Sequence, residues 1–136
     1  MKVVPYLNFP GTAEEALEFY EHALHGKTTS VMRYGENPFP DMDPEKHTWI
    51  MHAELEFGDN KIYVSDAIDT DKFELGNAYA VHLDCDSEDE IRHLFDHFSE
   101  GAVVDMPLED TFWGAIFGSL IDRYGIQWTF NFQKPE

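Results

Sequence analysis

The 136-residue chain reads as an α+β protein of two consecutive βαβββ modules that together form an open cleft. Three observations predict this. Thr12-Ala13-Glu14-Glu15 and Ser87-Glu88-Asp89-Glu90 each pair a hydroxyl residue with a Glu three positions on, the pattern of a capping box, and each opens an apolar-periodic helix. Each box follows a short apolar strand, residues 3–9 and 79–85. Each helix precedes three strand-like segments.

In chain order, Val3-Val4-Pro5-Tyr6-Leu7-Asn8-Phe9 is a strand, with Pro5 pointing to an edge or a bulge, and Pro10-Gly11 turns it. The first helix covers residues 13–25, with Ala16, Leu17, Tyr20, Ala23 and Leu24 as its buried stripe. Residues 27–34, rich in Thr and Val, form the second strand. Residues 35–46 carry Gly, three Pro and several acids and read as a loop. Residues 49–57 alternate as a strand, and Gly58-Asp59-Asn60 turns it into residues 61–66, a strong hairpin signal. The second module repeats the order: a strand over 78–85, a helix over 88–99 ended by Gly101, then strands over 102–106, 115–122 and 126–132. Module one spans residues 1–67, module two 78–134, with 68–77 as linker within a single domain. Matching the helices gives a repeat offset of 75 and matching the last strands gives 65, so the first module is longer by 75 − 65 = 10 residues. The 35–46 loop accommodates the difference and has the length of a lid or, equally, of a plain surface excursion.

Lys and Arg total 9 against 27 Asp and Glu, a formal net charge of −18. With no basic stripe, the chain would repel a nucleic-acid backbone and an anionic membrane surface. Cys85 is the only cysteine, which rules out an intrachain disulfide, and its strand pattern predicts a buried, inert thiol. No apolar run approaches the roughly 20 residues of a spanning helix, and the expectation is a soluble, cytoplasmic protein.

Three stretches carry a family resemblance. Pro5-Tyr6-Leu7-Asn8-Phe9 precedes the first helix, and Met51-His52-Ala53 precedes a hairpin ending Val64-Ser65-Asp66-Ala67. Thr111-Phe112-Trp113 and Phe117-Gly118 lead to Asp122-Arg123-Tyr124-Gly125-Ile126-Gln127-Trp128. In these the chain resembles the vicinal oxygen chelate superfamily of glyoxalase, bleomycin-resistance and dioxygenase proteins, and within it the PhnB-like group. The resemblance implies a curved sheet in each module, commonly a dimer, and in the enzymes a divalent metal held from the first and last strand of each module. Those positions fall here on Pro5, Val64, Ala80 and Thr129, three of which offer only carbon. The expected metal set is therefore none, and no cofactor is predicted.

Strand alternation sorts the candidate residues. Gln127, Thr129 and Asn131 are expected to line the cleft, opposite Ile126, Trp128, Phe130 and Phe132. Their counterparts by the repeat are Ile62, Val64 and Asp66; on the first strand of each module, Leu7 and His82 face the same way. Phe112 and Trp113 would add an apolar wall. The expected ligand-binding set is Leu7, His82, Phe112, Trp113, Thr129 and Asn131. Two functions follow. One is a metal-free, homodimeric binder of a small organic molecule. The other is an enzyme of lyase, isomerase or oxygenase type using a displaced site around His52, Asp66 and His82, and only then a divalent metal. A dimeric regulatory module is a third possibility.

Overall fold

The computed structural model describes residues 1–136 and divides into two compact units, Met1–Glu74 and Leu75–Glu136. Unit one runs β1 (Tyr6–Phe9), α1 (Ala13–Leu24), β2 (Lys27–Arg33), β3 (Ile50–Phe57) and β4 (Asn60–Asp66). Unit two runs β5 (Val81–Asp84), α2 (Glu88–Phe98), β6 (Val103–Asp110), β7 (Ala115–Ile121) and β8 (Gln127–Gln133). The sheet orders are β1-β4-β3-β2 and β5-β8-β7-β6, the same path twice. In each sheet the first strand pairs parallel with the last and the remaining pairs are antiparallel. No helix is long and apolar enough to cross a membrane.

Local chemistry accounts for most of the elements. In the β3–β4 hairpin Phe57 pairs with Asn60, leaving Gly58-Asp59 as a two-residue turn whose glycine sits at φ +57°, the conformation a type II′ turn requires at its first central position. α2 is capped by Ser87, whose Oγ accepts from the Glu90 N–H at 3.0 Å; Glu90 Oε1 reaches one residue past the cap and accepts from the Asp86 N–H at 2.9 Å, not from the Ser87 N–H of a full capping box. α1 has no side-chain cap, since the Thr12 side chain makes no capping bond. Its first turn is held from across the sheet by Asp66 at the end of β4, whose Oδ1 accepts from the Gly11 and Ala13 N–H groups at 3.0 and 2.9 Å. The first capping box is thus replaced by a tertiary cap.

Each sheet buries one face under its helix. In unit one Phe9, Tyr20, Leu55, Ile62 and Val64 form the core, and in unit two Ile91, Phe98, Ile116, Leu120, Trp128 and Phe130. The Phe98 and Trp128 rings lie 4.5 Å apart and the Phe95 and Phe130 rings 5.1 Å. Asp122 locks the turn before β8: its Oδ1 accepts from the Tyr124 and Ile126 N–H groups and its Oδ2 from Trp128 Nε1 at 2.8 Å. Gly125 closes the same turn, its N–H donating to the Asp122 carbonyl at 2.9 Å with φ at +90°, where a side chain would be strained.

Burial corrects the repeat at the strands. Matching the covered faces, Phe9 with Cys85 and Val64 with Phe130, gives strand offsets of 76 and 66 rather than 75 and 65, with the same difference of 10, while the helix caps Thr12 and Ser87 keep the offset of 75. A one-residue slip exchanges the faces of a strand. Leu7, Ile62, Val64 and Asp66 therefore lie on the helix-covered face, and Tyr6, Lys61, Tyr63 and Ser65 on the helix-free one. Ile50 lies in the core although strict alternation would set it on the His52 face, and it sits beside a register shift between β2 and β3. β1 and β5 are shorter than expected, and β6 is longer, an exposed edge strand with two register shifts.

Residues 35–46 are fastened at both ends. The Tyr34 hydroxyl donates to the Asp66 carbonyl at 2.7 Å, and Lys46 Nζ donates to the Ile68 carbonyl at 2.7 Å while sitting over the Trp49 ring.

Candidate functional site

The helix-free face of unit one gathers Tyr6 from β1, His52 and Glu54 from β3, and Lys61 and Tyr63 from β4. The Tyr6 hydroxyl lies 2.7 Å from His52 Nδ1. His52 Nε2 approaches Glu54 Oε2 at 3.5 Å, and Glu54 Oε1 holds Lys61 Nζ at 3.1 Å. Lys61 holds the Glu54 carboxyl below the usual carboxylate range, so Glu54 is ionised near neutrality. The Tyr63 ring stands edge-on to His52 at 4.9 Å and to Tyr6 at 5.6 Å, which fixes the orientation of both. Burial pushes the Tyr6 phenol above its ordinary value.

Unit two repeats the order of groups. His82 Nδ1 lies 2.7 Å from Thr129 Oγ1 and Nε2 lies 3.3 Å from Asp84 Oδ1, which also accepts from Asn131 Nδ2 at 3.2 Å. Each unit thus presents a hydroxyl, an imidazole and a carboxylate in sequence, with the hydroxyl on Nδ1 and the carboxylate on Nε2. Such an array can move a proton between an exposed oxygen and a ring stabilised by an anion.

The predicted residues separate accordingly. His82, Thr129 and Asn131 come together on the expected face, and His52 joins a comparable cluster in its own unit. Leu7 does not line a site; it is 5 % exposed and packs in the core. Asp66 is not available as a catalytic carboxylate. It is 2 % exposed, and Oδ2 accepts from the Ile50 N–H at 2.9 Å while Oδ1 serves the start of α1. Phe112 and Trp113 are not a concave wall. They stack edge to face at 4.9 Å on the β6–β7 turn beyond the Gln133 end of β8, 97 % and 52 % exposed. The residue that sequence reasoning missed is Tyr6. Its signal was the resemblance-bearing stretch around Pro5, read one residue out of phase.

The superfamily's metal positions do not fit a metal here. Pro5 and Ala80 offer carbon, and the Val64 side chain is fully buried in the core. On the helix-free face of unit one Tyr6 and Tyr63 stand in place of Pro5 and Val64 and bring phenols, neither a carboxylate nor an imidazole. Within neither unit do three His, Cys, Asp or Glu side chains converge.

The family model for 3-demethylubiquinone-9 3-methyltransferase matches residues 1–130. The chain belongs to this family. Among solved structures, protein PA1353 from Pseudomonas aeruginosa is similar at 35 % identity with a TM-score of 0.89, covering 99 % of each chain. The PhnB protein from Bacillus cereus is 26 % identical with a TM-score of 0.82, covering 97 % of this chain and 99 % of its own. The glyoxylase/bleomycin resistance protein/dioxygenase domain from Frankia sp. EAN1pec shares the fold at 12 % identity and a TM-score of 0.69, over 98 % of this chain and 93 % of that one. Family membership and these likenesses fix the fold, and the chemistry rests on the side chains it carries.

Proposed function

We propose that this PhnB-like protein binds a small organic molecule on the helix-free sheet faces, without a resident metal. The donor set carries the reading. Pro5, Val64, Ala80 and Thr129 stand where metal ligands are expected, while His52 and His82 are each engaged by a hydroxyl and a carboxylate of their own unit. Those hydroxyls, with Tyr63 and Asn131, supply an aromatic surface and a few directed hydrogen bonds, the mixture a small-ligand site uses. The displaced-site enzyme around His52, Asp66 and His82 loses support because both Asp66 oxygens are committed to backbone N–H groups. Methyl transfer, which the family description names, draws no support from the fold: neither sheet is the doubly wound parallel type with a Gly-rich turn that cradles a nucleotide cofactor. Edge strands β2 and β6 expose Val31, Met32, Val103, Val104 and Met106, which favours a homodimer in solution.

Metal titration of chelator-treated protein, with a thermal-shift panel of aromatic and heteroaromatic compounds, tests this. The expected outcome is no stoichiometric zinc or nickel site at micromolar affinity and a raised melting temperature with at least one compound class. A tight stoichiometric site abolished by His52→Ala or His82→Ala would overturn it. Light scattering at the mass of one chain would remove the dimer.

A further inference from the structure

Building on the reading of this protein as an organic-ligand binder, we propose that unit one takes a ligand bearing a weakly acidic hydroxyl, a phenol or enol, and holds it as its anion by relaying the proton through Tyr6 to His52. The donor and acceptor inventory leads there. Ionised Glu54 can only accept, so the neutral imidazole carries its proton on Nε2, facing Glu54 Oε2 at 3.5 Å. Nδ1 is then the acceptor, and the Tyr6 O–H at 2.7 Å must donate to it. Tyr6 is 47 % exposed as a residue and its only proton is spent, so toward a ligand its oxygen, beside the Ser65 hydroxyl, acts as an acceptor. That oxygen can accept a proton because its own has a place to go.

The step balances. The ligand O–H bond breaks and its proton joins Tyr6 Oη. The original Tyr6 proton passes to His52 Nδ1, giving an imidazolium beside Glu54. Tyr6 ends as a neutral phenol donating to the ligand oxyanion. No electron changes owner, and Tyr6 never stands as a phenolate, so its burial-raised affinity for protons does not oppose the transfer.

The surroundings suit this outcome. Lys61 neutralises Glu54 and also reaches Glu56 at 3.5 Å, so the imidazolium and Lys61 together counter the bound anion despite the acidic chain. The Tyr63 ring edge fixes the imidazole plane, and Met32 of β2, which pairs with His52, brings no charge. In unit two the corresponding hydroxyl is the alcohol of Thr129, and His82 and Asp84 are more exposed, 46 % and 78 % at their side chains. There water screens the pair and the relay is weaker.

The test uses the full chain and 4-nitrophenol, whose anion absorbs visible light. Titrated into probe below its own ionisation pH, the wild-type protein should raise anion absorbance saturably, lowering the apparent probe pKa by about one unit, a tenfold change in the ionisation ratio. Tyr6→Phe and His52→Gln, with unchanged circular dichroism, should abolish the rise. Should Tyr6→Phe fail to fold, His52→Gln decides alone. A wild-type protein that gives no extra anion overturns the relay, as does a rise that survives both substitutions. Probe retained in equilibrium dialysis without ionisation overturns the relay while leaving the organic-ligand reading in place; that reading falls separately if no compound of the panel stabilises the protein.

Discussion

Asp66 offers the sharpest test of how unit one is held together. Its carboxylate accepts from three backbone N–H groups, those of Gly11, Ala13 and Ile50, and so ties the start of α1 and the start of β3 to the end of β4. Asp66→Ala leaves the buried Ala13 and Ile50 donors without partners, and each such orphan costs about 1–3 kcal/mol. With Gly11 partly solvated, the total is roughly 3–5 kcal/mol, a large share of the about 5–15 kcal/mol typical of a domain. Asp66→Asn keeps an acceptor for the α1 donors but sets an amide against the Ile50 N–H. It also removes the desolvation cost of a buried charge, so its loss should be only about 1–2 kcal/mol. Burial is the largest influence on this carboxyl and pushes its pKa up; the Ile50, Ala13 and Gly11 donors pull it down, and the Glu14 charge adds to the rise. A raised folded-state pKa means the folded protein binds this proton more tightly than the unfolded chain. The associated stability is fully present below the unfolded value of about 3.9 and is lost as pH rises through the folded value. Urea unfolding followed by circular dichroism, at a series of acid pH values, measures both effects. The midpoint should fall for Asp66→Ala at constant slope, and the wild-type advantage over Asp66→Asn should shrink as pH rises. An Asp66→Ala protein within 1 kcal/mol of wild type at pH 7, about the scale of one ordinary hydrogen bond, would refute the tertiary cap. A wild-type advantage that grows with pH would refute the dominance of burial.

The two helix starts should respond differently to loss of their hydroxyl: Ser87→Ala should cost about 1 kcal/mol, while Thr12→Ala should stay within about 0.5 kcal/mol, both read from denaturant midpoints. Trp128→Phe removes the N–H that satisfies Asp122 Oδ2 and part of a fully buried ring, and should lower stability by roughly 2–4 kcal/mol in the same assay. Burial pushes the Cys85 thiol up to about 12, with Glu90, Asp84 and Asp86 adding to it; iodoacetamide at pH 8 should leave the native protein unmodified and alkylate it only after urea, by mass spectrometry.

The sequence by itself determined the order of elements in both units. The β3–β4 hairpin, the Ser87 cap and the two helices were readable because period, turn residues and caps act over a few neighbours, and those signals are written locally. The resemblance added the family, carried most specifically by the Asp122–Trp128 stretch, in which Asp122 accepts from Tyr124, Ile126 and Trp128. Tertiary structure decided which face of β1 and β4 is buried. Residues 3–9 are apolar or aromatic at nearly every position, so alternation does not say which of their faces is covered; burial of Leu7, Phe9, Ile62 and Val64 under α1 does. That choice of face put Leu7 and Asp66 in the interior and Tyr6 beside His52. It also gave Asp66 its role: N–H groups more than fifty positions away, at Gly11 and Ala13, find their acceptor only once the sheet has formed, a pairing that no local pattern encodes.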